Sequence, residues 1–307
     1  MLPLEDGHSV HYEQCGNPSG VPVVFLHGGP GSACSPRHRQ LFNPAHTRVV
    51  LFDQRACGQS TSACGPLHAN TTAHLLADME RLRNTLQIPR WLVVGGSWGG
   101  GLALAYAIEH PAACLGLVLR AAFLARPCDV HWFFDEARQL LPDAWAELAH
   151  HLAHQAHEGL GLRLFDTVLG QDPESALRLA LAWHDWERAV EQRGLGSPKL
   201  QAPTADQALV LLNKYRIQSH YLRHQCFFPA EGLLHHLACI EHLPVDLVHG
   251  RLDWVCRPEA SWSIHQRLPQ SQMHWVDHAG HGLFEEGMAQ TVAQVINQRV
   301  DTLMQGT

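Results

Sequence analysis

Residues 91–111 read WLVVGGSWGGGLALAYAIEHP. A run of branched aliphatics gives way, through Gly95-Gly96-Ser97-Trp98-Gly99, to a small-residue segment that stops at Pro111. That is the composition of a β-strand turning sharply into an α-helix. Glycines flanking the serine let the corner adopt a conformation that side chains would block. The Ser97 hydroxyl is then expected to project above the strand's carboxyl end, at the start of a helix whose dipole favours a developing anion. An ordinary strand-to-helix turn also uses glycine, so the rest of the chain has to decide between a corner and a nucleophile.

Outward from this stretch the pattern repeats. VPVVFLHG, RVVLFDQ, LGLVLRA, VDLVHG and MHWVDHAG are short apolar runs separated by segments of helical composition. Continuous apolar strands interleaved with helices predict an α/β protein with a mostly parallel sheet covered on both faces. TAHLLADMERLRNTLQ reads as a helix that Asn70-Thr71-Thr72 can cap. Between about Ala125 and His236 the alternation vanishes, and the residues become helical in period and rich in Trp, His and Leu. The expected organisation is a core of 1–124 and 236–307 with an all-helical insertion at 125–235, in which QRGLGSPKLQAPTADQ is the clearest loop. Ligand sites of open parallel sheets lie at the carboxyl ends of the strands. An insertion leaving from such an end is expected to roof the site.

The 307 residues suffice for a large core, and 46% hydrophobic with 17% charged residues exclude general disorder. A net charge of −7 without a basic cluster argues against a nucleic-acid partner. No apolar run reaches the ~20 residues that span a bilayer, so no membrane partner is expected. The amino-terminal MLPLEDGHSVHYEQCG lacks the basic and apolar regions of a signal peptide. Nine cysteines, an odd number with no CxxC pair, suit free thiols in a reducing compartment. A soluble cytoplasmic protein is the expectation. His150, His154 and His157 could share one helix face, but no carboxylate or cysteine at familiar spacing joins them, so no metal site is expected.

A serine hydroxyl is a poor nucleophile without a base, and the base needs an orienting acid. For a Gly-x-Ser-x-Gly corner the partners follow in the order acid, then histidine. Asp253 stands just beyond the strand VDLVHG, and His281 lies in the Gly-flanked loop AGHG after the last strand. Asp246 sits inside its strand, while Asp277 and His278 are rivals at the last strand's end. The freer loop favours His281 over His278. Two backbone donors are also needed for the oxyanion of a tetrahedral intermediate. The Trp98 amide supplies one, and Gly29 of the glycine-rich corner His27-Gly28-Gly29-Pro30-Gly31 the other. That corner lacks the Lys-Ser/Thr of a phosphate loop and the spacing of a dinucleotide fingerprint, so no cofactor is implied. His27 is expected to support the corner by a hydrogen bond.

HGGPG, FDQRACGQS, GGSWGG, LALAYAIEHP, HWFF, WERA, HYL, GRLDWVC and AGHGLFE together resemble the proline iminopeptidases of the α/β-hydrolase superfamily, over nearly the whole chain. The resemblance implies an α/β-hydrolase core with a helical cap and removal of N-terminal proline from short peptides bearing a free amino terminus. It implies Ser97, Asp253 and His281 as nucleophile, acid and base. It assigns Glu187, in AWHDWERAV, to the substrate ammonium, and Phe123 and Phe133 to the pocket for the pyrrolidine ring. A carboxylate near the nucleophile would also exclude blocked peptides. The chain departs from the pattern in four places. Gln218 and Leu222 stand in RIQSHYLRH where a glutamate and an aromatic are usual, while Ala56 and Gly100 replace a glycine and a serine. The first two weaken the case for strict proline preference and leave a capped esterase or amidase as the alternative. A non-catalytic protein of this fold would have lost a triad member, and none is missing. Serine at 97 excludes chemistry that needs aspartate there.

Overall fold

A computed structural model describes residues 1–152, 159–195, 203–285 and 287–305. The chain divides into two compact units, residues 1–124 with 228–307 and residues 125–227. The second unit closes at Phe227, eight residues before the expected 235. Packing of the next residues sets that limit. The Phe228 ring stacks on Trp98 at 5.6 Å, and the 3-10 helix Leu233–Ile240 buries Leu233, Leu237 and Ile240 within the first unit.

The first unit is built on seven strands: β1 Tyr12–Gly16, β2 Val21–Leu26, β3 Thr47–Phe52, β4 Trp91–Gly96, β5 Cys114–Arg120, β6 Val245–Gly250 and β7 Ser271–Val276. Their order across the sheet is β7-β6-β5-β4-β2-β3-β1. All neighbours are parallel except β1, which runs antiparallel to β3. Leu2–Pro3, His8–Val10 and Thr61–Ser62 form a small separate sheet. The chain passes from β2 to β3 on one side, then returns across β2 to form β4 on the other. The point of reversal therefore lies between β2 and β4, where Leu26 pairs with Gly95, and crevices form at such points.

Strand pleating assigns alternate residues to opposite faces. Val23 and Phe25, Val49 and Leu51, Leu92 and Val94, Val118 and Val248 pack against Met288, Val292, Val295, Ile296 and Val300. Those last five recur at helical spacing along Met288–Gln305, the final helix of the chain. Each fully buried side chain of this kind contributes about 1.5–3 kcal/mol. Helix α1 spans Thr72–Thr85 and α2 spans Trp98–Glu109. Thr71 is the N-cap of α1 as the composition suggests, but its hydroxyl bonds His74 Nδ1 at 2.8 Å rather than a backbone amide.

The second unit holds α3 Pro142–His150, α4 Leu160–Leu169, α5 Pro173–Glu191 and α6 Ala205–Arg223. Helix α5 starts on Asp172, whose carboxylate accepts the Glu174 amide, with Pro173 at the first position. Helix α6 starts on a reciprocal Thr204–Gln207 capping box. Phe134, Phe165, Trp183 and Tyr215 meet in one aromatic cluster with ring centroids 4.8–5.5 Å apart. Back in the first unit, α7 is Pro258–His265 and α8 is the final Met288–Gln305.

No helix among the described residues is long and apolar enough to cross a membrane. Nor do the described residues contain a group of three metal-ligating side chains. His150 ends α3, while His154 and His157 lie outside the described residues, as do 196–202 of the expected loop.

Candidate active site

Strand β4 ends at Gly96 and α2 begins at Trp98, so one residue makes the turn. Ser97 adopts φ +56° and ψ −124°, a conformation that costs a non-glycine residue about 1–3 kcal/mol. Surrounding contacts hold it there. Its amide donates to the Arg120 carbonyl at 2.8 Å, and its own carbonyl accepts the amides of Gly100 and Phe123 at 2.9 and 3.0 Å. The glycines are required by close approach. A Cβ at Gly95 would meet the Gly99 carbonyl at 2.2 Å, and one at Gly99 would meet that of Leu26 at 2.2 Å. Backbone atoms cannot retreat as side chains do.

The partners come from neighbouring strand ends. The Arg251 and Leu252 amides donate to Val276 and Ala279 carbonyls, so the loops after β6 and β7 are tied together. This brings Asp253 and His281 within reach. Asp253 Oδ2 lies 2.8 Å from His281 Nδ1, and His281 Nε2 lies 3.1 Å from Ser97 Oγ. Asp253 Oδ1 accepts the amides of Val255 and Cys256, both at 2.9 Å. Burial by itself would raise this carboxyl. The charge of His281 and hydrogen bonds from His249 and His281 outweigh it and hold Asp253 well below the ordinary carboxylate range.

The rivals stand elsewhere. Asp246 Oδ1 is 3.1 Å from His274 and its Oδ2 accepts from Arg299 at 2.8 Å, while Asp277 and His278 are exposed. His249 carries no signal in the sequence beyond being a polar residue near the end of the strand-like VDLVHG, and the reading of strand ends passes it over. It is fully buried, with Nε2 2.8 Å from the Cys256 carbonyl and Nδ1 2.7 Å from Ser261 Oγ.

Across the crevice, β2 runs into the corner 27–31. Gly28 borders Ser97 directly, since a Cβ there would sit 3.6 Å from Ser97 Cβ. Gly29 has φ +123°, and a Cβ on it would meet the Gly31 and Ser32 amides at 2.6 and 2.8 Å. His27 Nε2 accepts the Gln54 amide at 3.0 Å, leaving Nδ1 to donate to the Gly28 carbonyl at 2.8 Å. Burial depresses the pKa of this imidazole, against the Gly28 hydrogen bond and the Asp53 charge, in keeping with a neutral ring. Gln54 also donates to the His27 carbonyl at 3.0 Å and accepts Trp98 Nε1 at 2.8 Å. One amide side chain thus joins the two segments expected to hold the oxyanion. It lies in the quoted FDQRACGQS, yet a lone glutamine in a strand-end motif gives no chemical signal in sequence.

Phe123 belongs to the first unit and lies beside Ser97, whose carbonyl accepts a hydrogen bond from the Phe123 backbone N–H. The other expected substrate residues belong to the second. Phe133 packs edge-on against Phe134 and Trp186, at 4.9 and 6.1 Å between ring centroids. Glu187 is not a lone helix carboxylate. Lys214 Nζ reaches its Oε1 at 2.9 Å and the Tyr215 hydroxyl its Oε2 at 3.2 Å. Burial alone would raise its pKa, but the Lys214 charge and hydrogen bond lead the opposing effects and bring it below the ordinary value. Lys214 is one of only two lysines in the chain, yet sequence does not link it to Glu187, because it sits on a different helix 27 residues away. Gln218 Oε1 is buried with no hydrogen-bond partner among the described residues.

A hydroxyl bonded to an imidazole that is bonded in turn to a buried carboxylate can pass a proton during acyl transfer. The α/β-hydrolase fold family matches residues 21–288. A probable proline iminopeptidase of Leptolyngbya boryana is 41% identical over 290 residues, covering 94% of this chain and 89% of its own. The proline iminopeptidases of Arabidopsis thaliana and Neisseria gonorrhoeae are 38% and 35% identical, each over 99% of this chain and over 80% and 96% of their own. Among solved structures, a proline iminopeptidase of Mycobacterium smegmatis matches with TM-score 0.65 and 19% identity over 98% of both chains. VinJ matches with TM-score 0.71 and 21% identity over 98% of this chain and 97% of its own. At those identities the structural likeness is one of fold.

Proposed function

The chain belongs to the proline iminopeptidases of the α/β-hydrolase family, and from that membership we infer a serine aminopeptidase that releases N-terminal proline from short peptides through an acyl-enzyme. The observation that carries the mechanism is the continuous hydrogen-bonded line from Ser97 Oγ through His281 to Asp253. His281 Nε2 takes the hydroxyl proton as Oγ attacks the prolyl carbonyl carbon. The amides of Gly29 and Trp98 receive the oxyanion. The same imidazole then returns the proton to the departing amine, leaving a prolyl ester on Ser97. Water attacks that ester with His281 again as base, freeing proline and regenerating the hydroxyl. Asp253 holds the ring in the required tautomer and balances its charge. No step calls for a cofactor.

Glu187 is the group we assign to the substrate ammonium, with Gln218 in the place of a second carboxylate and Phe123 and Phe133 beside the proline ring. The deciding assay compares a prolyl chromogenic amide with its N-acetylated form, using Ser97→Ala as blank. Rapid cleavage of the free amine and none of the blocked compound is expected; equal turnover of both would overturn the aminopeptidase reading. A second reading, a capped esterase or amidase with loose preference for proline, draws support from two observations. The Glu187 charge is already compensated by Lys214, and Gln218 supplies no second carboxylate. Short acyl esters turned over far faster than the prolyl amide would establish it. We place the enzyme in the cytoplasm, a reducing setting that suits nine cysteines of which none forms a disulfide.

A further inference from the structure

The proposed base stands on a glycine-flanked loop, and such backbone wanders unless it is held. Among the described residues, three hydrogen bonds between its backbone and charged side chains hold it. Arg120 Nη1 donates to the His281 carbonyl at 2.5 Å. The Glu285 carboxylate accepts the Gly280 amide on Oε2 at 2.7 Å and the Gly282 amide on Oε1 at 3.0 Å. The residue before the histidine, the histidine itself and the residue after it are thus each bound to a charged side chain. Bonds of this kind are about twice as strong as those between neutral groups.

Arg120 reaches the nucleophile as well. It ends β5, where it pairs with Gly96, and its carbonyl accepts the Ser97 amide at 2.8 Å. Its guanidinium lies against Gly96 so closely that a Cβ there would come within 2.7 Å of both Nε and Nη2. The residue is 9% exposed, and a guanidinium so far from water is tolerated only when its donors are used. One rigid strand end thereby carries the backbone of both Ser97 and His281. Glu285 approaches from the opposite side in sequence, just ahead of α8.

The geometry points to Arg120 and Glu285 as positioning residues that fix the His281 loop, so that the imidazole stands at hydrogen-bonding distance from Ser97 before substrate arrives. This rests on reading Ser97, His281 and Asp253 as the triad. Neither side chain touches the reacting atoms; each acts through the backbone of the base. Their loss should slow the chemical step and leave substrate binding intact, because only the register of base and nucleophile changes.

The test measures kcat and KM on a prolyl amide, thermal stability, and the rate of Ser97 labelling by a small fluorophosphonate. Arg120→Met should lower kcat by about 100-fold, the usual cost of a misplacement near 1 Å, with KM within about twofold of the parent. Arg120→Lys keeps a charged donor and should recover about tenfold of that loss. Glu285→Gln keeps one of two acceptors and should lower kcat about threefold to tenfold. The double variant Arg120→Met/Glu285→Gln should cost less than the product of the singles, because both act on one loop. Labelling rates should fall in step with kcat. Unchanged kcat with lowered stability, a rise in KM alone, or no recovery by Arg120→Lys would overturn the assignment. If Arg120→Met does not fold, Arg120→Lys and Glu285→Gln decide it, and wild-type kcat in both overturns it. Failure of the unmodified enzyme to label at Ser97 would instead remove the triad reading itself.

Discussion

Ala56 stands where related sequences are expected to carry glycine, and its φ of +56° lies in the left-handed region. That conformation costs an L-residue about 1–2 kcal/mol, partly offset by the ~0.4–1 kcal/mol that alanine saves by restricting the unfolded chain. Ala56→Gly should therefore raise stability slightly, with a melting temperature higher by about 1–3 °C and unchanged turnover. A lower melting temperature would show that the methyl group packs better than the backbone is strained. Asp253 makes the opposite case, a residue whose charge matters more than its volume. Asp253→Asn keeps the shape but loses the anion and favours the wrong imidazole tautomer. It should lower kcat by about 10⁴-fold while the protein stays folded. A loss smaller than about tenfold would mean that the carboxylate only braces the Val255 and Cys256 amides.

Between helices, the informative contact is the one that Lys214 of α6 makes with Glu187 of α5. The side chains are 18% and 25% exposed, between the nearly worthless surface pair and the costly buried one. Lys214→Met leaves the carboxylate without its cation and should cost about 2 kcal/mol in urea unfolding. Adding Glu187→Gln should return most of that loss, since the stranded charge is then gone. No recovery in the double variant would show that the lysine acts through its aliphatic stem. The same change has a catalytic reading. On the proposed role of Glu187 as the ammonium acceptor, removing its internal cation should lower KM for the prolyl amide while that for a short ester stays level. At the elbow joining β4 to α2 the constraint is steric. Gly99→Ala has no room beside the Leu26 carbonyl and should abolish activity by displacing Ser97, which inertness to fluorophosphonate would register.

Across the whole molecule, several carboxylates are held ionised by partners. Glu80 is lowered to about 2, chiefly by its hydrogen bond from Arg83. Glu13 is lowered by Arg39, Glu187 by Lys214 despite burial, and Asp253 by its interactions with His281 and His249 despite burial. Each has a folded pKa below its unfolded value of 3.8 or 4.5. The stability they contribute is complete above those unfolded values and disappears as pH falls through the folded ones. Urea midpoints should accordingly hold steady down to about pH 5 and drop steeply towards pH 2. A midpoint that rises between pH 5 and pH 3 would show that a buried acid prefers to be neutral. Asp78 is the candidate for such behaviour, its carboxyl raised by burial despite Arg55.

Sequence by itself determined what depends on neighbours along the chain. The strand-to-helix change at 91–111 was legible because strand and helix differ in period, and glycine marks backbone that tolerates no Cβ. The loops bearing Asp253 and His281 were legible because each follows a strand-like run. Only the tertiary structure decided which groups touch. Ser97 and His281 are 184 residues apart, and their 3.1 Å separation follows from the order of strands, which no local pattern encodes. The pairings of Lys214 with Glu187, Gln54 with Trp98, and Arg120 with the His281 carbonyl arise the same way. So does the end of the second unit at Phe227, set by Phe228 stacking on Trp98. Side-chain hydrogen bonds have a range of about 3 Å and no memory of sequence distance, so the folded arrangement alone selects their partners.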